Sequence, residues 1–145
     1  MHVASIASTI CRPLGLDSEL AWAMGVGHDL GHTPFGHVGE KILEKLSVER
    51  GITTFHHEVN SLRVIDFLSR DGNGLNLTYA VRDGIVCHNG ESLRKRLIPT
   101  FQERDLSSLE RRDGLIPATY EGCVVRFSDS IAYLGRDYED AWRLG

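Results

Sequence analysis

Gly27-His28-Asp29-Leu30-Gly31-His32-Thr33-Pro34-Phe35-Gly36-His37-Val38-Gly39-Glu40 carries three histidines, an aspartate and a glutamate within thirteen residues. Packing does not account for that density, because histidine and acidic side chains are rarely fully buried without partners. Upstream, Leu20 to Val26 is an apolar run with helical spacing, and Asp17 or Ser18 is placed to cap it. A helix that delivers ligands to a site and then turns sharply is the simplest reading. His28 and Asp29 are adjacent, so they cannot share a helical stripe, yet at a helix end both can converge on one ion. An imidazole with a carboxylate suits a borderline divalent metal such as manganese, iron, cobalt, nickel or zinc.

A complete site needs further ligands. Asp129 interrupts the apolar face of Phe127 and Ile131 and heads the series Asp129, Tyr133, Asp137. That i, i+4, i+8 spacing lays three polar groups along one helical stripe. Alone, Asp129 reads equally well as a surface or capping residue, but together with the histidine cluster the stripe reads as part of a site. Glu40 follows His37 by one helical turn, where it can bond the imidazole, fix its tautomer and raise its basicity for proton transfer. His32 and His37 flank a turn that can aim both rings at a phosphate. His56-His57-Glu58 at a helix start reads either as capping or as His57 or Glu58 reaching the same cleft. His88 reads as a helix-end cation.

Around these residues the pattern is helical. Val3 to Leu14, with Val3, Ile6, Ala7, Ile10 and Leu14 on one face, predicts a helix distorted by Pro13. Ala21, Ala23, Gly25 and Gly27 allow a close helix approach. His37 to Arg50 predicts a helix with Ile42, Leu43 and Leu46 inward and Gly51 as terminator. His56 to Arg70 is periodic in Val59, Leu62, Ile65 and Leu68 and ends at Asp71-Gly72-Asn73-Gly74. Thr78 caps a helix to about His88. Residues 89–116 read as a functional or mobile loop, and the helical pattern returns from Thr119 towards Trp142. No alternating strand pattern competes. The expected class is all-α, a compact orthogonal helical bundle.

The 145 residues fit one domain, 1–145, able to bury roughly two-thirds of its unfolded surface. Net charge is -4, so nucleic-acid binding by bulk charge is not indicated, and Arg94-Lys95-Arg96 and Arg111-Arg112 read as solvated loops. The three cysteines, Cys11, Cys87 and Cys123, are widely spaced with no Cys-x-x-Cys, which argues against disulfide or zinc-thiolate frameworks and for a reducing, cytoplasmic setting. The longest apolar run is too short to span a bilayer, and no signal-peptide layout is present.

The string from Gly27 to His37 resembles the HD-domain metal phosphohydrolases, and within them the deoxyguanosinetriphosphate triphosphohydrolase-like family. The likeness continues in Phe55-His56-His57-Glu58-Val59-Asn60-Ser61-Leu62-Arg63-Val64, in Gly74-Leu75-Asn76-Leu77-Thr78, in Thr119-Tyr120-Glu121-Gly122-Cys123-Val124-Val125, and in Asp129-Ser130-Ile131-Ala132-Tyr133 through Ala141. It implies an HD fold and hydrolysis of a deoxynucleoside triphosphate to deoxynucleoside and triphosphate. His28, Asp29 and Asp129 would hold a divalent manganese, magnesium, iron, cobalt or nickel ion. His37, supported by Glu40, would act in proton transfer, with His32 and His57 on phosphate oxygens. Tyr133 and Asp137 would line the sugar pocket, and Glu58 is grouped with these substrate contacts. The family's fourth metal ligand is a histidine on the first helix that would precede Met1; His2 stands one turn too late. Family members also usually continue past Gly145. The resemblance therefore implies a fragment truncated at both ends, and a homo-oligomer. A nucleotidase or phosphodiesterase of the same fold, or an impaired module that binds nucleotide or a protein partner, are the competing functions. The cyclic-dinucleotide branch would need a Gly-Tyr-Pro element, which this chain lacks.

Overall fold

A computed structural model describes residues 1–52, 54–88, 96–111 and 114–144, without the side chains of 135–137, 139, 140 and 144. The helices are α1 His2–Cys11, α2 Ser18–Gly27, α3 Gly36–Glu49, α4 His57–Arg63, the single turn α5 Ser69–Gly72, α6 Tyr79–Val86 and the long α7 Tyr120–Leu144. No strand occurs among the described residues, so the all-α class holds.

The start of α2 follows directly from sequence. Asp17 stands in extended backbone and accepts from the Glu19 and Leu20 N–H groups at 2.9 and 3.0 Å, satisfying donors that have no intrahelical partner. α1 stops at Cys11, and Pro13 continues as a single 3-10 turn, Arg12–Leu14, before left-handed Gly15 ends it. α1 and α2 lie nearly in backbone contact. A Cβ on Gly25 would stand 2.6 Å from the Ala4 Cα, so glycine is what permits the approach. α2 also packs on α6 and α7, and α4 packs on α6.

Two apolar clusters result. One joins Val3, Ala7, Cys11, Ala21, Met24 and Val125 from α1, α2 and α7. The other joins Leu62 and Ile65 to Val81, Ile85 and Val86 of α6, roofed by Leu106. Leu20 touches both. The described part of the 89–116 loop is fastened rather than loose. Asp83 on α6, 1% exposed, accepts from the Ala118 N–H at 2.7 Å and pairs with the Arg104 guanidinium at 3.2 Å. Residues 89–95, with Arg94 and Lys95, and Arg112 lie outside the described residues.

Three expectations need correction. Ile42, Leu43 and Leu46 are exposed rather than inward, because α3 meets the body only through its first turns, and Glu40 is its one buried residue. Leu14 is exposed because the Pro13 turn rotates it off the α1 face. Leu68 is also exposed. After α4 the backbone passes through a π-type turn, Val64–Leu68, which adds a residue to the turn and rotates Leu68 off the stripe that Leu62 and Ile65 share.

Candidate metal centre

The stretch Gly27 to Glu40 is bent back on itself by its backbone. α2 ends at Gly27, His28 and Asp29 occupy the first residues of the turn, and Phe35 and Gly36 take left-handed conformations (φ 68° and 58°) that launch α3 in a new direction. The turn is pinned to α4. The Ser61 hydroxyl accepts from the Gly31 N–H at 2.9 Å, and the Asn60 amide donates to the Gly31 carbonyl at 2.9 Å. The sequence reading did not single out Ser61 or Asn60.

His28 is 7% exposed. Its Nδ1 donates to the Gly25 carbonyl at 2.7 Å, which leaves the Nε2 lone pair facing the site. That nitrogen lies 3.1 Å from Asp29 Oδ2 and 3.6 Å from Asp129 Oδ1. Residues one hundred positions apart therefore converge through three electron-pair donors. A cation resolves the repulsion among them, so the donor set fits a divalent metal ion. Burial pushes the Asp29 carboxyl up, but the bond from His28 and the neighbouring histidines outweigh it and hold the group at about 2. Burial also dominates at Asp129, whose carboxyl is raised. At His28, burial lowers the imidazole, but the bond and charge of Asp29 outweigh it, for a net rise. A cavity of about 620 Å³ opens here, lined by His2 and Ile6 of α1, by His28 and Asp29, and by Asp129 and Tyr133 of α7. That volume suits a small-molecule ligand.

Behind this trio stands a bank of imidazoles. His32 stacks on His57 with ring centres 4.3 Å apart, and His37 meets His32 edge-on at 5.1 Å. The buried Nδ1 of His32 has no hydrogen-bond partner among the described residues, and burial lowers this imidazole. Glu40 ties the bank together. Its Oε1 accepts from the His57 backbone N–H at 2.9 Å and from His57 Nδ1 at 3.0 Å, while Oε2 lies 3.3 Å from Nδ1 of half-exposed His37. Burial pushes the Glu40 carboxyl up, but these donors prevail and hold it at about 2.

The predicted site residues thus fall into place unevenly. His28, Asp29 and Asp129 meet; Tyr133 lines the same cavity; His32, His37, Glu40 and His57 form the adjoining bank. Glu58 is wholly enclosed, with Oε2 3.5 Å from His57 Nδ1. The Asp137 side chain lies outside the described residues. His88 corrects the sequence reading outright. It is 2% exposed, burial lowers its imidazole to about 4, and it faces Asp29 and His57, so it is no helix-end cation. The available signal was its position after Gly84-Ile85-Val86-Cys87, an apolar run in which a histidine is enclosed.

The HD-domain profile matches residues 1–134. The chain belongs to the HD-domain family. This HD domain is also similar to proteins named deoxyguanosinetriphosphate triphosphohydrolase-like: 45% identical to one from Desulfatibacillum aliphaticivorans over 100% of this chain and 36% of the relative, and 43% identical to one from Caldanaerobacter subterraneus subsp. tengcongensis over 99% of this chain and 34% of the relative. A third, from Clostridium tetani, is 39% identical over 100% of this chain and 36% of its own length. The HD domain spans about a third of the length of these relatives. Among the described residues no helix is long and apolar enough to cross a membrane.

Proposed function

We propose that this HD domain is the metal-holding part of a phosphohydrolase that cleaves a deoxynucleoside triphosphate to the deoxynucleoside and inorganic triphosphate. The observation that carries the reading is the convergence of His28 Nε2, Asp29 Oδ2 and Asp129 Oδ1 at the wall of a ligand-sized cavity. The names of the relatives supply the substrate class. A bound divalent ion (manganese, magnesium, iron, cobalt or nickel) supplies Lewis acidity towards a phosphoryl oxygen and acidifies a bound water.

The chain's own residues do the rest. His28, Asp29 and Asp129 hold the ion. Glu40 Oε2 anchors the His37 Nδ1, which leaves Nε2 of that half-exposed ring to carry a proton to the departing 5′-oxygen or from the attacking water. His32 and His57 face the phosphates. Tyr133 borders the sugar, and the family resemblance gives Asp137, two helical turns after Asp129, the 3′-hydroxyl. Exposed apolar residues on α3 and α7, Ile42 and Trp142 among them, support a homo-oligomer, and the buried free thiols support a cytoplasmic setting.

The test supplies each deoxynucleoside triphosphate and manganese to the purified protein and separates the products by ion chromatography. Deoxynucleoside and triphosphate in equal amounts are expected. Monophosphate and orthophosphate products would replace this reading with a nucleotidase or phosphodiesterase. Metal and nucleotide bound without any product would make the HD domain a binding module.

A further inference from the structure

The turn that carries His28 and Asp29 does little to satisfy its own backbone. α2 ends at Gly27, so the carbonyls that follow have no continuing helix to accept from. The His32 N–H donates to the Asp29 carbonyl at 3.0 Å. The Gly31 N–H leaves the turn altogether and donates to the Ser61 hydroxyl at 2.9 Å. Neither donor remains for the His28 carbonyl, which lies 3.0 Å from the Ser61 Oγ. The Gly31 carbonyl accepts from the Asn60 amide at 2.9 Å. Two adjacent side chains of α4 thus serve three backbone groups of the turn.

The Ser61 hydroxyl has one hydrogen and two acceptors in reach, the carbonyls of His28 and His57, each at 3.0 Å. The His57 carbonyl already accepts a helical bond from four residues on within α4. The His28 carbonyl has no such bond, so the hydroxyl hydrogen goes there. Ser61 and Gly31 are buried, so water does not replace these bonds when the side chain is removed.

Position gives the bonds their consequence. A peptide group is planar. Holding the His28 carbonyl therefore sets the plane of the His28–Asp29 peptide, from whose two ends both ligand side chains spring. Holding the N–H and carbonyl of Gly31 fixes the chain two residues further on, so Asp29 lies between two grips. Ser61 also stands one helical turn after His57, which ties the metal ligands to the imidazole bank. The packing of this segment on α6 falls to other residues, Leu62 and Ile65. We propose that Asn60 and Ser61 are positioning residues of the metal centre. Without touching the ion, they hold the His28–Asp29 peptide in the orientation from which His28 Nε2 and Asp29 Oδ2 meet Asp129 Oδ1.

This inference rests on the reading of His28, Asp29 and Asp129 as metal ligands, and the test separates the two. Manganese is titrated into the metal-free protein, and free ion is counted by electron paramagnetic resonance. Thermal unfolding of the same samples is followed by circular dichroism. Ser61→Ala removes the hydroxyl and adds no bulk. It is expected to weaken manganese binding about 10- to 100-fold, the loss typical when a group that orients a metal ligand is removed. Asn60→Ala is expected to weaken it in the same direction. Ile65→Val, in the core and away from the turn, controls for lost stability: it is expected to lower the melting temperature and leave manganese affinity unchanged. Native affinity in a folded Ser61→Ala variant, or an equal loss of affinity in Ile65→Val, overturns the proposal. If Ser61→Ala loses its helical circular dichroism, Asn60→Ala against Ile65→Val decides by the same comparison. A native protein that takes up no manganese removes the metal reading and this inference with it. Manganese on the native protein with undiminished affinity in both α4 variants removes this inference alone.

Discussion

Gly31→Ala tests the contact on which the centre depends. The turn that carries His28 and Asp29 rests on α4 at Gly31. A Cβ there would stand 2.2 Å from the Ser61 backbone nitrogen, 2.4 Å from the His57 carbonyl oxygen and 2.5 Å from the Asn60 carbonyl carbon. All three are backbone atoms of α4, so no side chain can swing aside; the turn and the helix must separate. Separation also strains the Gly31 N–H to Ser61 bond and the Asn60 to Gly31 bond, both 2.9 Å. Overpacking a tight contact costs typically about 1–3 kcal/mol, and with only backbone to yield we take about 3 kcal/mol. For a domain of this size that lowers the melting temperature by roughly 6–12 °C. Metal affinity falls with it, because the turn that carries His28 and Asp29 shifts relative to Asp129. Gly51→Ala is the control. Its position has a left-handed backbone (φ 70°) and nothing within 4 Å, so backbone strain costs about 1 kcal/mol and manganese binding is unchanged. Thermal unfolding by circular dichroism and manganese titration read both effects. A Gly31→Ala protein that melts within about 2 °C of the native and binds manganese equally would refute the packing reasoning.

His37→Ala is expected to keep the metal content while cutting turnover by about 10²- to 10⁴-fold, whereas Asp129→Ala loses the ion held with His28; elemental analysis showing equal metal loss in both would contradict the division of roles. Glu40 makes the metal-free protein acid-sensitive. Its folded carboxyl sits at about 2 against an ordinary 4.5, so its contribution is complete above pH 4.5 and disappears as pH falls towards 2. That is about 3 kcal/mol at most; Glu40→Gln is less stable at neutral pH and flattens this limb of the pH-stability curve, and an unchanged limb would dismiss Glu40 as its source. Phe35 is 90% exposed with φ 68°, so Phe35→Gly should gain about 1 kcal/mol from relieved backbone strain, and a lower denaturation midpoint would show that the ring matters more than its backbone.

What the sequence made legible is what helical spacing and local chemistry encode. Asp17 announces the start of α2 because its capping bonds reach only two and three residues ahead. The run from His28 to Glu40 is legible as a site because its donors are close along the chain. Asp129 is legible because a carboxylate breaks an apolar stripe. The inward face of α3 was misread because periodicity marks an apolar stripe and says nothing of what lies over it. Leu68 was misread because one π-type turn shifts every later position, and no residue type announces that turn.

The deeper limit lies in Glu40 and His88. Glu40 is recognisable as the partner of His37 from a three-residue spacing, yet its shorter bonds go to His57, seventeen residues away. Through those bonds it joins the two histidine motifs into one centre and sets which nitrogen of His57 is free. His88 carries no local signal of this kind, since its neighbours in the site, His28, Asp29 and His57, come to it through the packing of α2 and α4 on α6. Its chemistry is decided by enclosure: the apolar core that buries it removes its charge, and the Ile85 carbonyl one turn back orients its lone pair. The core that stabilises α6 therefore also keeps a histidine of the centre uncharged, and Ile85→Ala, which opens that core to water, is expected to move the His88 titration up from about 4 towards an ordinary imidazole's, read from the pH dependence of its ring-proton resonances.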